Sequence, residues 1–230
     1  MFYMKGNNMK GKIIVIEGTD CSGKETQSKK IIENLKQYNF KYFSFPNYDS
    51  PTGKIVGGPY LSKKHICEGW FKEGAAAVDP KIASLYYAAD RKYNIAFIEE
   101  LLEAGYNVIL DRYFYSNMAH QGGKISDKEE RFEMYKWLEE LEVKLLQLPI
   151  PDIRIFLHVP YEVSLEIRKN RKEEFDQHES NPNHLINAEK AYLEIAQLYN
   201  FKTIECTKDG KMLSVEQINK QLCEYLKQVL

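Results

Sequence analysis

Cysteine is scarce and scattered: the 230-residue chain has four, Cys21, Cys67, Cys206 and Cys223, and no two of them form a CxxC pair. That spacing excludes a disulfide-stapled scaffold and a zinc ribbon, and it suits a reducing compartment. Long apolar runs are missing as well, since none approaches the roughly 18 to 20 residues that span a bilayer. The opening MFYMKGNNMK lacks the apolar stretch of a secretory signal. The expectation is a cytoplasmic protein with no membrane contact. Nor is there a charge excess of either sign: 32 basic and 33 acidic residues leave a net charge of −1. Such a balance creates no field for nucleic acid, so any polyanion site must be local. His65, His158, His178 and His184 show no metal-ligand spacing and read as ordinary surface or core residues. Trp70 and Phe71 lack a basic groove beside them and read as packing residues.

What is there is an alternation of short β-branched runs with amphipathic stretches. KIIVI at 12–16 reads as a buried parallel strand ending in a turn, and Ile31, Leu35 and Tyr38 mark a following helix. Further strands are expected at 42–45, 107–110, 153–159 and 201–206. Between them, Asp79-Pro80 and Gly105 bound a long helix whose apolar stripe is Ile82, Leu85, Tyr86, Ala89 and Tyr93. Helical spacing recurs at 127–147, 161–172, 185–199 and 215–230, and a short helix is expected within 46–58. The stretch 172–183 is almost wholly polar and reads as a flap. No repeat or linker divides the chain, so residues 1–230 are expected to form one domain. The fold class is α/β, a three-layer α/β/α architecture with a five-stranded, mainly parallel sheet and a short flexible lid at about 168–185.

The strongest chemical signal is Gly18-Thr19-Asp20-Cys21-Ser22-Gly23-Lys24, set between a strand and a helix as a phosphate-binding loop requires. Glycines let successive backbone N–H groups point at a phosphate, the helix N-terminus adds its positive end, and Lys24 adds a point charge. After the lysine stands Glu25, where a magnesium-ligating hydroxyl is usual, and the next hydroxyl belongs to Thr26. Glu25 is either a hard ligand for Mg²⁺ or a first-turn helix acid facing solvent. Asp111-Arg112 follows the third strand, at the sheet end where α/β proteins bind ligands, and could also close that end as a mutual ion pair. Tyr87 and Arg91, at i and i+4, lie opposite the apolar stripe and can face one ligand together.

Taken in order, the phosphate loop with Asp20 inside it, Phe45-Pro46, Tyr87 to Arg91, Asp111-Arg112-Tyr113, Ser116-Asn117, Gln121-Gly122 and an arginine-bearing flap resemble the thymidylate kinases of the P-loop nucleoside monophosphate kinase group. The resemblance runs from about Gly11 to about Leu226. It implies a Mg²⁺-dependent transfer of the γ-phosphoryl group of ATP to dTMP, and a homodimer. Residues 18–26 and Arg168 would hold ATP. Phe45, Pro46, Tyr87, Arg91, Arg112, Ser116, Asn117 and Gln121 would hold dTMP, with Tyr87 on the thymine and Arg112 on its phosphate. The catalytic set would be Lys24, Asp20, Arg112 and Arg171, the last delivered by the flap because the loop carries Cys21 where some relatives carry arginine. Asp111, with Glu25 as a second candidate, would serve the metal.

Two departures stand out. Phe45-Pro46-Asn47-Tyr48 lacks an arginine that relatives place on the acceptor phosphate, which Lys54 could replace. His120 stands where relatives often place Tyr or Phe beneath the sugar. The rival readings are a kinase for another nucleotide or a deoxynucleoside, a nucleotide-binding module without catalysis, and an interaction protein with a vestigial loop.

Overall fold

A computed structural model describes residues 10–169 and 181–230. Its centre is a fully parallel five-stranded sheet in the order β2-β3-β1-β4-β5, formed by Ile13–Gly18 (β1), Phe40–Ser44 (β2), Asn107–Asp111 (β3), Ile153–His158 (β4) and Lys202–Glu205 (β5). Every residue of β1 is buried, as a β-branched run covered on both faces must be. Register aligns the carboxyl ends: Ile16 lies beside Asp111, and Gly18 beside Leu157.

Helices cover both faces. Lys24–Asn34 (α1), Tyr161–Lys169 (α6) and Val215–Val229 (α8) contribute to a core of Ile14, Ile16, Ile31, Val163, Ile218 and Leu222 on one side. On the other, Pro80–Glu103 (α3), Phe114–Gly122 (α4), Lys128–Glu139 (α5) and Pro182–Leu198 (α7) pack around Val15, Ile98, Leu110, Met118, Leu138 and Tyr192. A short α2, Pro51–Ile55, runs on as a π-helical turn to Tyr60. α5 likewise continues π-helically through Glu140–Leu145. The starts follow their side chains: Asp79 accepts from the N–H groups of Lys81 and Ile82 ahead of α3, and Ser214 with Gln217 forms a capping box on α8.

All five expected strands form, and each expected helix has a counterpart. α4 was missed because its residues read as a ligand-binding motif, and the small antiparallel pair Thr207–Lys208 (β6) and Lys211–Met212 (β7) is too short for a period-2 signal. The central part of the expected flap, residues 170–180, lies outside the described residues, while its described edges are the end of α6 and the start of α7.

The stripe on α3 requires correction. Ile82, Leu85 and Tyr93 are 48, 51 and 59% exposed, and the helix instead buries Ser84, Ala88, Asp90, Arg91, Asn94 and Ile98. Periodicity found the helix but assigned its faces the wrong way round. The inward face can be polar because Asp90 accepts hydrogen bonds from Asn47 N (2.8 Å), Ser50 Oγ (2.9 Å) and Thr52 Oγ1 (2.9 Å), which ties the loop after β2 to α3. Trp70 is likewise no packing residue, being 75% exposed, whereas Phe71 does pack on Tyr60 and Tyr86.

Candidate active site

Outside the carboxyl ends of β1, β2 and β3 opens a cavity of about 640 Å³. Its donor wall is the expected loop. A Cβ on Gly18 would lie 2.6 Å from Ser22 Oγ and 2.8 Å from Leu157 O, so only glycine lets the chain turn there. Cys21 and Gly23 hold φ angles of 63° and 79°, and Gly23 begins α1 without a side-chain cap. The uncapped first turn leaves backbone N–H groups for an anion. Lys24 Nζ lies against Gly18 O (3.0 Å) and Thr19 O (3.1 Å). Burial and then the nearby Arg112 charge push its pKa down.

Asp20 pairs with Arg112 across the cavity, so the expected alternative of a mutual Asp111–Arg112 ion pair gives way to a bridge between phosphate loop and sheet end. Burial works against ionisation of Asp20, but Arg112, His120, Lys24 and Arg168 overcome it and hold the carboxyl below the usual range. Arg112 itself has φ 67°, a conformation that non-glycine residues seldom adopt and that clusters at functional sites. It also donates to Tyr192 OH (2.9 Å) and Ser116 Oγ (3.3 Å), and meets His120 Nε2 at 3.3 Å.

Beneath Arg112 sits Glu17, fully buried at the end of β1. It accepts from Tyr113 N (2.8 Å), Ser116 N (3.1 Å), Ser116 Oγ (2.5 Å) and Tyr192 OH (3.3 Å). Burial raises its pKa, opposed by the Ser116 hydrogen bond and the Arg112 charge. Sequence reasoning missed Glu17 and Tyr192, and also Asp90 and Glu142, because each acts through partners distant in the chain. A buried acid inside an apolar strand was the one available signal, at Glu17.

Tyr87, Arg91, Phe45, Pro46, Ser116, Asn117 and Gln121 all line the same cavity, as do His120 and Tyr48. Arg91 is committed to fully buried Glu142, donating from Nε at 2.8 Å and from a terminal nitrogen. Among the described residues, neither polar atom of the Gln121 amide has a hydrogen-bond partner, and Asn117 Oδ1 has none either. Buried polar atoms are rarely left so, and three at one cavity wall mark a surface built for a ligand.

Glu25 is exposed and pairs with Lys29 at 2.6 Å, an i,i+4 helix pair, while still touching the cavity rim with Thr26. Asp111 is buried at the cavity with Tyr42 OH donating to one oxygen at 3.1 Å. Lys54 is exposed and does not line the cavity, where Lys63 does. Arg168 is buried beside Thr19 and Asp20, and Arg171 lies outside the described residues.

Residues 16–218 match the family model described as thymidylate kinase. The chain belongs to the thymidylate kinase family. A probable thymidylate kinase of Methanocaldococcus jannaschii is 32% identical over 216 residues, covering 94% of this chain and 96% of that protein. The structure of thymidylate kinase from Candida albicans superposes with a TM-score of 0.70 at 27% identity, covering 95% of this chain and 92% of the other. As a member of the thymidylate kinase family the protein is a nucleoside monophosphate kinase. Among the described residues no helix is long and apolar enough to cross a membrane, and no cluster of three or more His, Cys, Asp or Glu could hold a metal alone.

Proposed function

We propose that this protein transfers the γ-phosphoryl group of ATP to the 5′-phosphate of dTMP, giving dTDP and ADP in the cytoplasm. The observation that carries this reading is the pairing of two walls in one cavity: a phosphate loop on one side, and the unpartnered amide atoms of Asn117 and Gln121 on the other. Residues 18–26 take the triphosphate. Tyr87 stacks on the pyrimidine above Phe45 and Pro46, Asn117 and Gln121 read its edge with Arg91, and Arg112 beside Ser116 clamps the acceptor phosphate.

Phosphoryl transfer leaves the protein little covalent work, because charge spreads over oxygens that cations must neutralise. Lys24 and Arg112 stand at the two ends of the transferred group, and Asp20 holds the Arg112 guanidinium in place. Arg171, which lies outside the described residues, would add a further cation, and Arg168, buried beside Thr19 and Asp20, belongs to the ATP side in this reading. The oxygen donor Asp111 suits Mg²⁺, which binds such sites through one or two carboxylates plus substrate phosphates. Bound there, it would neutralise charge on the β- and γ-phosphate oxygens. Glu25, engaged by Lys29, is the lesser candidate.

The reading also includes a homodimer. The outward face of α3 presents Ile82, Leu85, Tyr93 and Phe97, 48, 51, 59 and 53% exposed. That is one helical stripe, the kind of contiguous apolar patch that associates. Sedimentation of the wild-type chain should give a dimer, and Leu85→Glu should shift it toward monomer; a monomer throughout would remove this part.

A coupled assay of ADP release with Mg·ATP against dTMP, dUMP, dCMP, UMP, CMP and thymidine tests the whole. Turnover strongly favouring dTMP is expected. Preference for another acceptor would keep the kinase and replace the substrate, and silence with ATP still raising the melting temperature would leave a binding module.

A further inference from the structure

Directly after its lysine, a phosphate loop usually carries a Ser or Thr whose hydroxyl ligates magnesium. Here Glu25 takes that place, and it is exposed and drawn along the helix surface to Lys29 at 2.6 Å. Thr26, the next hydroxyl, is exposed as well. The first turn of α1 therefore lacks the short hydroxyl ligand, and the weight of holding a metal shifts to the neighbouring strand ends.

Those strand ends supply a hydroxyl of their own. In the parallel register of β2 on β3, Tyr42 lies beside Ile109 and Ser44 beside Asp111. Side chains two apart in a strand share a face, so Tyr42 and Asp111 point to the same side of the sheet. It is the side of α1, because Tyr42 packs with Ile109 and Ile31 in the core beneath that helix. The Tyr42 hydroxyl reaches Asp111 Oδ2 at 3.1 Å, and since a carboxylate only accepts, the phenol donates. Tyr42, Asp111, Lys24 and Glu25 all line the one cavity. Phe43, the next residue, packs into the opposite core against Phe45 with no hydroxyl at all, so ring packing on this strand does not itself require one.

A carboxylate held at one oxygen by a donor on a rigid ring has little freedom to swing, and its other oxygen keeps its lone pairs for a metal or for a water that the metal carries. Partners that orient a ligand in this way are worth about 10- to 100-fold in metal affinity or activity. We propose that Tyr42 is the positioning residue that holds the Asp111 carboxylate for Mg²⁺, and that the site leans on this pair because its phosphate loop has Glu25 where the hydroxyl ligand usually stands. This rests on the phosphoryl-transfer reading above and deepens it.

The experiment is a calorimetric titration of the β,γ-imido analogue of ATP, in Mg²⁺ and again in EDTA, into wild type, Tyr42→Phe, Asp111→Asn and the double variant. Wild type is expected to bind at least about tenfold more tightly in Mg²⁺, and Tyr42→Phe to lose most of that gain while its Kd in EDTA stays within about twofold. In the Asp111→Asn background Tyr42→Phe should change nothing further, because the group it positions is gone. Glu25→Thr returns a hydroxyl to the loop, so adding Tyr42→Phe to it should cost less than about threefold of the Mg²⁺ gain. A phenol that serves only to join β2 to β3 would lower the melting temperature and leave the Mg²⁺ gain intact, and that result overturns the proposal. Equal weakening with and without Mg²⁺ overturns it too, as does an undiminished effect of Tyr42→Phe on top of Asp111→Asn or Glu25→Thr. If wild type binds the analogue no better in Mg²⁺, the metal reading falls before any variant is made; if it does not bind the analogue at all, the functional reading falls with it.

Discussion

On one wall of the cavity, the proposed donor end, seven consecutive residues, Gly18 to Lys24, offer the backbone N–H groups of an uncapped helix start and one lysine. At the acceptor end the working groups come from β1, α3, β3, α4, the π-helical turn after α5, and α7, and one hydrogen bond there, Tyr192 OH to Glu17, joins residues 175 apart. The loop is local and its conformation is set by glycines. The acceptor wall is a buried polar network in which each group holds its neighbours, so its members should not be separable into structural and functional ones. The two ends ought therefore to respond differently when broken.

The largest effect should come from the local end. In the proposed function Lys24→Met removes a charge that serves the moving γ-phosphoryl group, and losing one such stabilising group lowers kcat by about 10²- to 10³-fold. Lys24 bonds only loop carbonyls and Ser22 Oγ, so the melting temperature of the free protein should hardly change. Stopped-flow or coupled turnover beside differential scanning calorimetry checks both halves. A large loss of stability would show that the loop, too, is part of the structural network.

Glu17→Ala should give the opposite signature. It leaves the buried Tyr113 N without an acceptor and takes one acceptor from Ser116 N, Ser116 Oγ and Tyr192 OH, and an unmade buried hydrogen bond costs about 1–3 kcal/mol. Because Ser116 and Tyr192 also hold Arg112, acceptor KM should rise along with the loss of stability, while KM for ATP moves less. Denaturant unfolding combined with the two KM values makes the comparison. If stability falls with acceptor KM unchanged, Glu17 is scaffold alone.

This contrast also explains what could be read from the sequence. The phosphate loop was legible because spacing along the chain is its geometry, and the strands were legible because apolar β-branched runs flanked by turn residues have few alternatives. Tyr87 and Arg91 were correctly placed on one face of α3, but which face meets water was not, since Ile82, Leu85 and Tyr93 form as regular a stripe as any core. Periodicity reports that a helix has two faces; only tertiary contacts such as those of Asp90 and Arg91 decide which is inside. Glu142 and Tyr192 left no local signature, and Glu17 left only that of an acid in an apolar strand, because their roles exist only once β1, α4, α7 and the turn after α5 are brought together. Asp111-Arg112 shows the same limit on a smaller scale: adjacency suggested a pair, whereas the fold gave Asp20 to Arg112 and Tyr42 to Asp111.

The smallest effect tests a third region, where the ends of β4 and β5 meet α6 and α7. His158 at the end of β4 contacts Glu189 Oε1 on α7 at 3.2 Å and Glu205 Oε2 on β5 at 2.7 Å, and Glu189 also accepts from Tyr161 N at the start of α6. Its hydrogen bond to Glu189, and then the one to Glu205, outweigh partial burial and raise its pKa above 6.5. A raised folded-state pKa means that the folded protein binds the proton more tightly than the unfolded chain does. The stabilisation is then fully present below the unfolded value and is lost as pH rises through the folded one. His158→Gln should therefore lower the melting temperature most below about pH 6, by the equivalent of no more than about 1 kcal/mol for a partly exposed ion pair, and progressively less toward pH 9. Melting curves of both proteins across that range supply the test, with kcat unchanged at pH 8. A difference that stays constant with pH would mean that His158 acts through packing on Phe156, whose ring lies 5.6 Å away, and not through its charge.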